Sequence, residues 1–303
     1  MNNQFYRYTG GSWLEVKGED AAEFLQGQFT SNLQTKTANI CTYGLWLDRK
    51  GKVQGDSFVM RLASGEYRIF SYETPAAALV QRLESYVITD DVEILDSTDS
   101  IEAISILGPD SEGVIGDLGA LPDVGEHVAT GDGVIFVGRR SMTRSYEIIV
   151  ERSDIDRIVG RLRTLGLTEV EFMAVEAERI RSGIPAIPRE LGPGDLPQEA
   201  GLEKDAVSFD KGCYLGQEVM ARLHSMGRVR RRLVPVRVIG LASTPSLLFL
   251  GLDRVGELRT HIQGYEGHFN GVAMIRAELA GSQPVCMNFA GEVEARVLVG
   301  AEA

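Results

Sequence analysis

The stretch Lys211-Gly212-Cys213-Tyr214-Leu215-Gly216-Gln217-Glu218 places one cysteine between two glycines directly ahead of a helical pattern. A helix N-terminus leaves unpaired N–H groups and a partial positive charge, and both favour thiolate over thiol. This puts Cys213 at a helix start, with the cation of Lys211 two residues back pushing the same way. A cysteine can also be a small buried packing residue. The flanking glycines and the polar pair Gln217-Glu218 turn the reading toward a reactive thiol.

Downstream, His224 lies eleven positions on. That is about 16 Å along a continuous helix at about 1.5 Å per residue, too far to serve Cys213 as a base. Glu218 and Arg222 are spaced i, i+4 and should orient one another, as a catalytic pair or as an ordinary surface ion pair. Arg228, Arg230, Arg231 and Arg232 follow. They read either as the solvated start of a strand or as a local site for a carboxylate or phosphate. Segments 233–239, 254–262, 270–278 and 295–299 then read as short strands, a small all-β terminal domain in the form of a barrel. Upstream, 182–201 holds Pro185, Pro188, Pro193 and Pro197, the punctuation of a long loop that covers or carries a site.

Before that loop, strand and helix patterns alternate, which predicts an α+β fold. Strands are expected near 13–17, 43–48, 52–62, 67–71, 92–95 and 101–107. One helix opens at Glu19-Asp20 with Ala22, Phe24 and Leu25 inward, and another at Thr74-Pro75 with Ala78, Leu79, Leu83 and Tyr86 on one side. A short helix over 110–118 completes one α/β unit. A second unit follows, with strands at 134–138 and 146–150 and a helix capped by Ser153 that carries Ile155, Ile158, Val159 and Leu162. Its last helix runs through Phe172 and Ile180 to a C-cap at Gly183.

A chain of 303 residues, 44% hydrophobic and 24% charged, can build two or three cores. A net charge of -12 argues against an extended nucleic-acid surface. Cys41, Cys213 and Cys286 are far apart, with no CxxC and no HExxH, so neither a disulfide framework nor a self-sufficient metal site is expected. The polar N-terminus and the lack of any apolar run of about 20 residues predict a cytoplasmic protein without a membrane span. No GxGxxG or P-loop occurs. Trp13, Tyr43, Gln28 and Asn32 could line a slot for a pterin-like ring, though such residues also serve as core and cap.

The octapeptide, Pro197 to Leu202 and Gln26-Gly27-Gln28-Phe29-Thr30 together resemble the folate-binding YgfZ family, in order over nearly the whole chain. That family is similar in fold to the T-protein of glycine cleavage, a tetrahydrofolate-dependent aminomethyltransferase. The resemblance implies two interlocked, ferredoxin-like α/β subdomains over 1–225 and a C-terminal β-barrel over 226–303. It implies an accessory protein for assembly or repair of iron-sulfur clusters, and so for client enzymes such as tRNA-modifying ones, with tetrahydrofolate as cofactor. Cys213 is its functional thiol, beside Lys211 and Glu218; Trp13, Gln28, Asn32, Tyr43, Arg181, Tyr214 and Arg222 are its folate contacts. Relatives carry an aromatic and an acid where this chain has Val175 and Arg181. T-proteins place a carboxylate on an early strand where Gln54-Gly55 fall here. Asp56 is displaced by one and would turn to the opposite face unless a bulge intervenes. Aminomethyl or one-carbon transfer is therefore the alternative function, and a fold that has lost its ligand is a third.

Overall fold

The computed structural model of the chain describes residues 3–297 except 35–38, 120, 132, 240–242, 263–269, 281–284 and 288–293. His268 and the end of the strand expected over 295–299 lie outside the described residues. The first half comprises β1 (Gln4–Tyr8), β2 (Ser12–Lys17), α1 (Ala21–Gln28), β3 (Cys41–Leu47), β4 (Val53–Arg61), β5 (Tyr67–Ser71), α2 (Ala76–Glu84), β6 (Glu93–Asp96), β7 (Ile101–Leu107) and α3 (Ser111–Asp117). Then come β8 (His127–Thr130), β9 (Gly133–Val137), β10 (Tyr146–Glu151), α4 (Ile155–Thr164), β11 (Thr168–Glu169), α5 (Phe172–Arg181) and α6 (Gln217–Met226). The last strands are β12 (Arg231–Ile239), β13 (Ser246–Leu250), β14 (Asp253–His261), β15 (Gly271–Arg276), β16 (Val285–Met287) and β17 (Glu294–Val297).

Strands β2 to β6 form a five-stranded sheet in the order β3-β4-β5-β2-β6, and β1 joins β7 to β11 in a six-stranded sheet ordered β11-β1-β7-β10-β9-β8. The chain begins one sheet, leaves it to build the other and returns at β7, which interlocks them. The expectation that 101–118 completes the first α/β unit is corrected: β7 lies inside the six-stranded sheet, between β1 and β10. Both faces of β7 are apolar, so its pattern could not say which sheet it enters. Ile104 and Ile106 pack with α3 and α4, while Ile101 and Ala103 face a core shared with the five-stranded sheet. In β2, Leu14 and Val16 meet α1 and α2, and Trp13 enters the shared core. The result is four layers, with helices outside and two sheets face to face.

The helices settle one or two residues from their expected faces. Ala21, Phe24 and Leu25 are buried in α1, and Ala76, Leu79 and Leu83 in α2, an i, i+3, i+7 stripe that leaves Ala22 and Ala78 exposed. Ser153 does not cap α4, because a 3-10 turn over Arg152–Asp154 intervenes and Asp154 takes the cap position. Strands β12 to β17 close into a barrel of order β12-β15-β14-β13-β16-β17.

The proline-rich segment is clamped between sheet and barrel by arginines. Arg231 bonds Asp195 at 2.9 Å and Glu199 at 2.8 Å, and Arg259 bonds Asp195 at 3.2 Å. Arg189 grips Glu73 through two nitrogens and donates to Thr260 of β14.

A core joining β3, β4, this segment and the barrel holds Leu45, Leu47, Ile187, Leu202, Tyr214, Met220 and Met274. Gly216 fits there only as glycine: its φ is +86°, and a Cβ would lie 2.7 Å from the carbonyl oxygen of Asp48. Gly216→Ala is expected to cost roughly 2 kcal/mol and lower the melting temperature by several degrees in a thermal scan.

Candidate functional site

The octapeptide is fastened from below. Lys211 is buried, and its Nζ donates to the carbonyl oxygens of Gln26, Phe29 and Ser31 at 2.7, 2.7 and 3.0 Å. Gln26 is in the last turn of α1 and Phe29 is its C-cap, where carbonyls lack helical partners and a cation is favoured. Burial lowers the ammonium to about 8, while the three acceptors work the other way, since only the charged form has three N–H bonds. The ring of Tyr214 lies 5.2 Å from Nζ, buried against Leu47 and Met220, and burial pushes its hydroxyl up to about 12. Every donor of that ammonium is committed to α1 and the segment after it, so Lys211 makes no hydrogen bond to Cys213.

Cys213 is exposed. It does not sit at the helix start: Gly216 is the N-cap of α6, three residues further on, beyond the first turn where the dipole acts. Cys41 is buried in the shared core, with its thiol raised well above the ordinary value by burial. Glu218 and Arg222 are both exposed on α6 and form no ion pair among the described residues, contrary to expectation. Two long, solvated side chains gain little from pairing. His224 stacks on Phe209 at 4.0 Å instead of serving the thiol. Among the described residues no group of three or more His, Cys, Asp or Glu is arranged to hold a metal ion.

A separate narrow cleft opens where the two sheets meet the proline-rich segment, lined by Tyr43, Asp56, Tyr72, Arg139, Arg140 and Ile184 among others. Asp56 is placed there by a bulge: Trp46 pairs with Gly55 and Leu47 with Val53, which leaves Gln54 unpartnered in β4. The expectation that Asp56 turns away is thereby corrected. Gly55 lets Thr74 approach, since a Cβ would lie 2.6 Å from its Cγ2. Thr74 Oγ1 donates to Asp56 Oδ1 at 3.1 Å, and Tyr43 Oη donates to Oδ2 at 2.9 Å. Burial nevertheless raises the carboxyl from 3.8 to about 6. The Arg139 guanidinium lies 4.1 Å over the Tyr43 ring and pairs with Asp205 at 2.5 Å.

Behind this wall, between the sheets, Tyr8, Tyr72 and Ser105 donate to the buried carboxylate of Glu147 at 2.7, 2.9 and 2.7 Å. Arg140 lies 4.9 and 4.1 Å from the Tyr8 and Tyr72 rings and leaves its Nε without a hydrogen-bond partner. On α5, Arg179 is forked between Glu176 and Glu190, and all three are buried.

Of the seven expected folate contacts, Tyr43 alone lines this cleft. Trp13 is 7% exposed and packs behind it with Phe58, Phe70 and Phe136. Gln28 ends α1 with a buried, unpartnered Oε1, and Asn32 Oδ1 accepts from Gln26 and from the Gln34 backbone, which shapes a turn. Arg181 points to solvent and pairs with Glu178 at 2.6 Å, so its difference from relatives falls outside the cleft. Tyr214 is in the core beneath the octapeptide, and Arg222 is exposed on α6, away from the cleft.

Sequence reasoning missed Arg139, Arg140, Glu147 and Thr74. A signal was present in Glu147, a lone charge inside the apolar run 146–150 of a strand covered on both faces. Gly55 inside a strand pattern was another, as a mark of bulge or close approach.

Residues 11–211 match the profile of the GCVT N-terminal domain family. The chain is 27% identical over 261 residues to the mitochondrial iron-sulfur cluster assembly factor IBA57 homolog of Cryptococcus neoformans, covering 78% of this chain and 66% of that protein. It is 27% identical over 274 residues to the human mitochondrial iron-sulfur cluster assembly factor IBA57, covering 84% and 73%. It is also 25% identical over 224 residues to the tRNA-modifying protein YgfZ of Colwellia psychrerythraea, covering 73% and 67%. The chain thus spans just under two thirds of the length of the first of these curated relatives. Its fold is that of the glycine cleavage system aminomethyltransferase T from Bartonella henselae, at a TM-score of 0.81 and 16% identity, over 99% of this chain and 85% of that one. No helix among the described residues is long and apolar enough to cross a membrane.

Lys211→Met should strand three buried carbonyls and destabilise the protein by roughly 3 kcal/mol, read as a fall in denaturant midpoint. For Asp56, the folded state holds a proton up to about 6 and the unfolded state up to about 3.8. The folded state binds more protons between those values, so this stability is complete at low pH and is lost as pH rises through about 6. Asp56→Asn cannot ionise. It is expected to raise the melting temperature near pH 7.5, by at most about 3 kcal/mol of stability, and to change it little near pH 4.

Proposed function

We propose that this chain, which belongs to the GCVT N-terminal domain family, is a folate-binding accessory protein for assembly or repair of iron-sulfur clusters, with Cys213 as its functional thiol. The observation that carries the reading is the division of the molecule into two sites. An exposed thiol is held on a buried lysine fastening, and a polar cleft elsewhere does not include it. The relatives named as cluster assembly factors and as a tRNA-modifying protein support the same role.

The polar lining of the cleft, Asp56 above all, supports a site for the pterin head of tetrahydrofolate, which when bound supplies a one-carbon carrier. Asp56 has two of its carboxylate lone-pair positions free after Tyr43 and Thr74 are counted, matching the paired donors of a pterin edge. Cys213 supplies a single thiolate, and clusters are usually held by about four. The cluster is cargo here, and the thiol acts together with ligands from a partner.

Two measurements test the two halves. Calorimetric titration with tetrahydrofolate should show binding that weakens at least about tenfold in Asp56→Asn, the usual loss of a charge-assisted hydrogen bond. Undiminished binding would remove the pterin from this cleft. Trp13→Ala would not report on the cleft, because emptying this core position costs about 3–5 kcal/mol. In a host lacking its own relative, Cys213→Ser should lose rescue of a cluster-dependent enzyme, and full rescue would end the claim for the thiol.

One observation favours the alternative, tetrahydrofolate-dependent aminomethyl or one-carbon transfer: the bulge at Gln54 brings Asp56 into the cleft with a carboxyl near 6, suited to moving a proton. Turnover of an aminomethylated carrier that persists in Cys213→Ser and vanishes in Asp56→Asn would decide for it.

A further inference from the structure

Helix α6 turns one face to an open groove against the first turn of the barrel. Three adjoining hollows share Leu196, Leu223, Lys52 and Arg228 between them, and the widest holds about 1100 Å³. Its cationic rim is Lys50, Lys52, Arg222, Arg228 and Arg230, none of which forms an ion pair among the described residues. Neighbouring arginines are already engaged: Arg231 with Asp195 and Glu199, and Arg232 with the Gln198 carbonyl. Of the groove's carboxylates, Glu199 is neutralised by Arg231 and Glu278 lies 4.0 Å from Arg276, which leaves Glu203 and Glu218. Five free cations therefore face two free carboxylates, in a chain whose net charge is -12.

The floor is aliphatic, made by Leu196, Val219, Leu223 and Val229. This combination selects the occupant. A nucleic-acid strand would use the cations but needs aromatic faces for its bases, and the one ring on this lining, His224, is already stacked on Phe209. A protein segment carrying carboxylates and spaced aliphatic side chains satisfies rim and floor together.

Cys213 lines none of the three hollows, but the chain joins it to them. Cys213 leads through Gly216 directly into α6, and Gly216 packs on Asp48 of the same turn that presents Lys50 and Lys52.

We propose that this groove is a docking surface for an acidic, aliphatic-anchored segment of a partner protein, seated so that the partner lies beside Cys213. The inference rests on the reading of Cys213 as a thiol shared with a partner. It gives that partner's contact surface a chemistry: negative, with leucine-like anchors.

The test uses the full chain and three fluorescent probes: a twelve-residue peptide alternating Glu with Leu at helical spacing, an oligoglutamate of equal length, and a twelve-nucleotide single-stranded RNA. Anisotropy should show the Glu-Leu peptide binding most tightly, with affinity falling as salt is raised. The triple variant Lys50→Glu, Arg222→Glu, Arg228→Glu should weaken it at least about tenfold, as reversing a complementary rim does. All three side chains are exposed on α6 or at turns, so the variant should melt like the parent; Leu223→Ser supplies an independent loss through the floor. Equal affinity of the triple variant overturns the proposal, as does RNA or oligoglutamate binding as tightly as the Glu-Leu peptide. In the rescue assay the triple variant, with Cys213 intact, should fail, and full rescue would remove the groove while leaving the Cys213→Ser result to stand or fall alone.

Discussion

Three carbonyl oxygens, in the last turn of α1 and just after it, share one ammonium, that of Lys211, and the arrangement of the thiol-bearing segment depends on it. A helix end leaves acceptors that water would ordinarily satisfy, and here the octapeptide covers them. A lysine can answer three acceptors at once because its donors fan from one atom. The contact bridges residues 185 apart in sequence, so it closes the octapeptide onto the five-stranded sheet's own helix. Tyr214 is then pressed into the core on one side and Cys213 is left outside on the other. Gly216 completes the fastening by bringing the chain against the β3–β4 turn at a distance no side chain would allow.

The interface between the two sheets follows a different rule. It buries Glu147 and Arg140, charges that would be costly alone, and makes them tolerable by surrounding the carboxylate with three hydroxyl donors and the guanidinium with two aromatic rings. Such a network is specific in geometry, because each hydroxyl has one direction that satisfies it. It fixes Tyr72 and Arg140, and through them one wall of the cleft in which Asp56 stands. Cleft and thiol are thus held by independent polar devices. The segment between them, pinned by Arg139 to Asp205 and by Thr30 to Ala206, is the covalent link that joins them.

Much of the fold was legible locally. Most strands and helices fall within a few residues of their expected bounds, because period-2 and period-3.6 patterns reflect burial that each element imposes on its own neighbours. β1, β8, β13 and the two short strands β11 and β16 escaped, being brief or half-exposed, with little periodicity to read. Type and context singled out Cys213, which the fold leaves exposed, and Tyr43, which lines the cleft, but not Arg139, Arg140 and Glu147, since nothing in a strand pattern says that a charge will meet three hydroxyls from elsewhere in the chain. Trp13 and Lys211 were assigned chemistry where the fold uses them for packing and fastening.

By itself the sequence determined the alternation of elements, the glycine-bounded cysteine and the resemblance that joins them, all properties of residues near one another in the chain. Only the tertiary structure decided that Cys213 is exposed and outside the cleft, that Lys211 answers α1 instead of the thiol, and that Asp56 faces the cleft. Each depends on a partner far away in sequence or on a single extra residue in a bulge. The free energy of a buried ammonium or carboxyl is set by what surrounds it in space, and sequence separation carries no information about that.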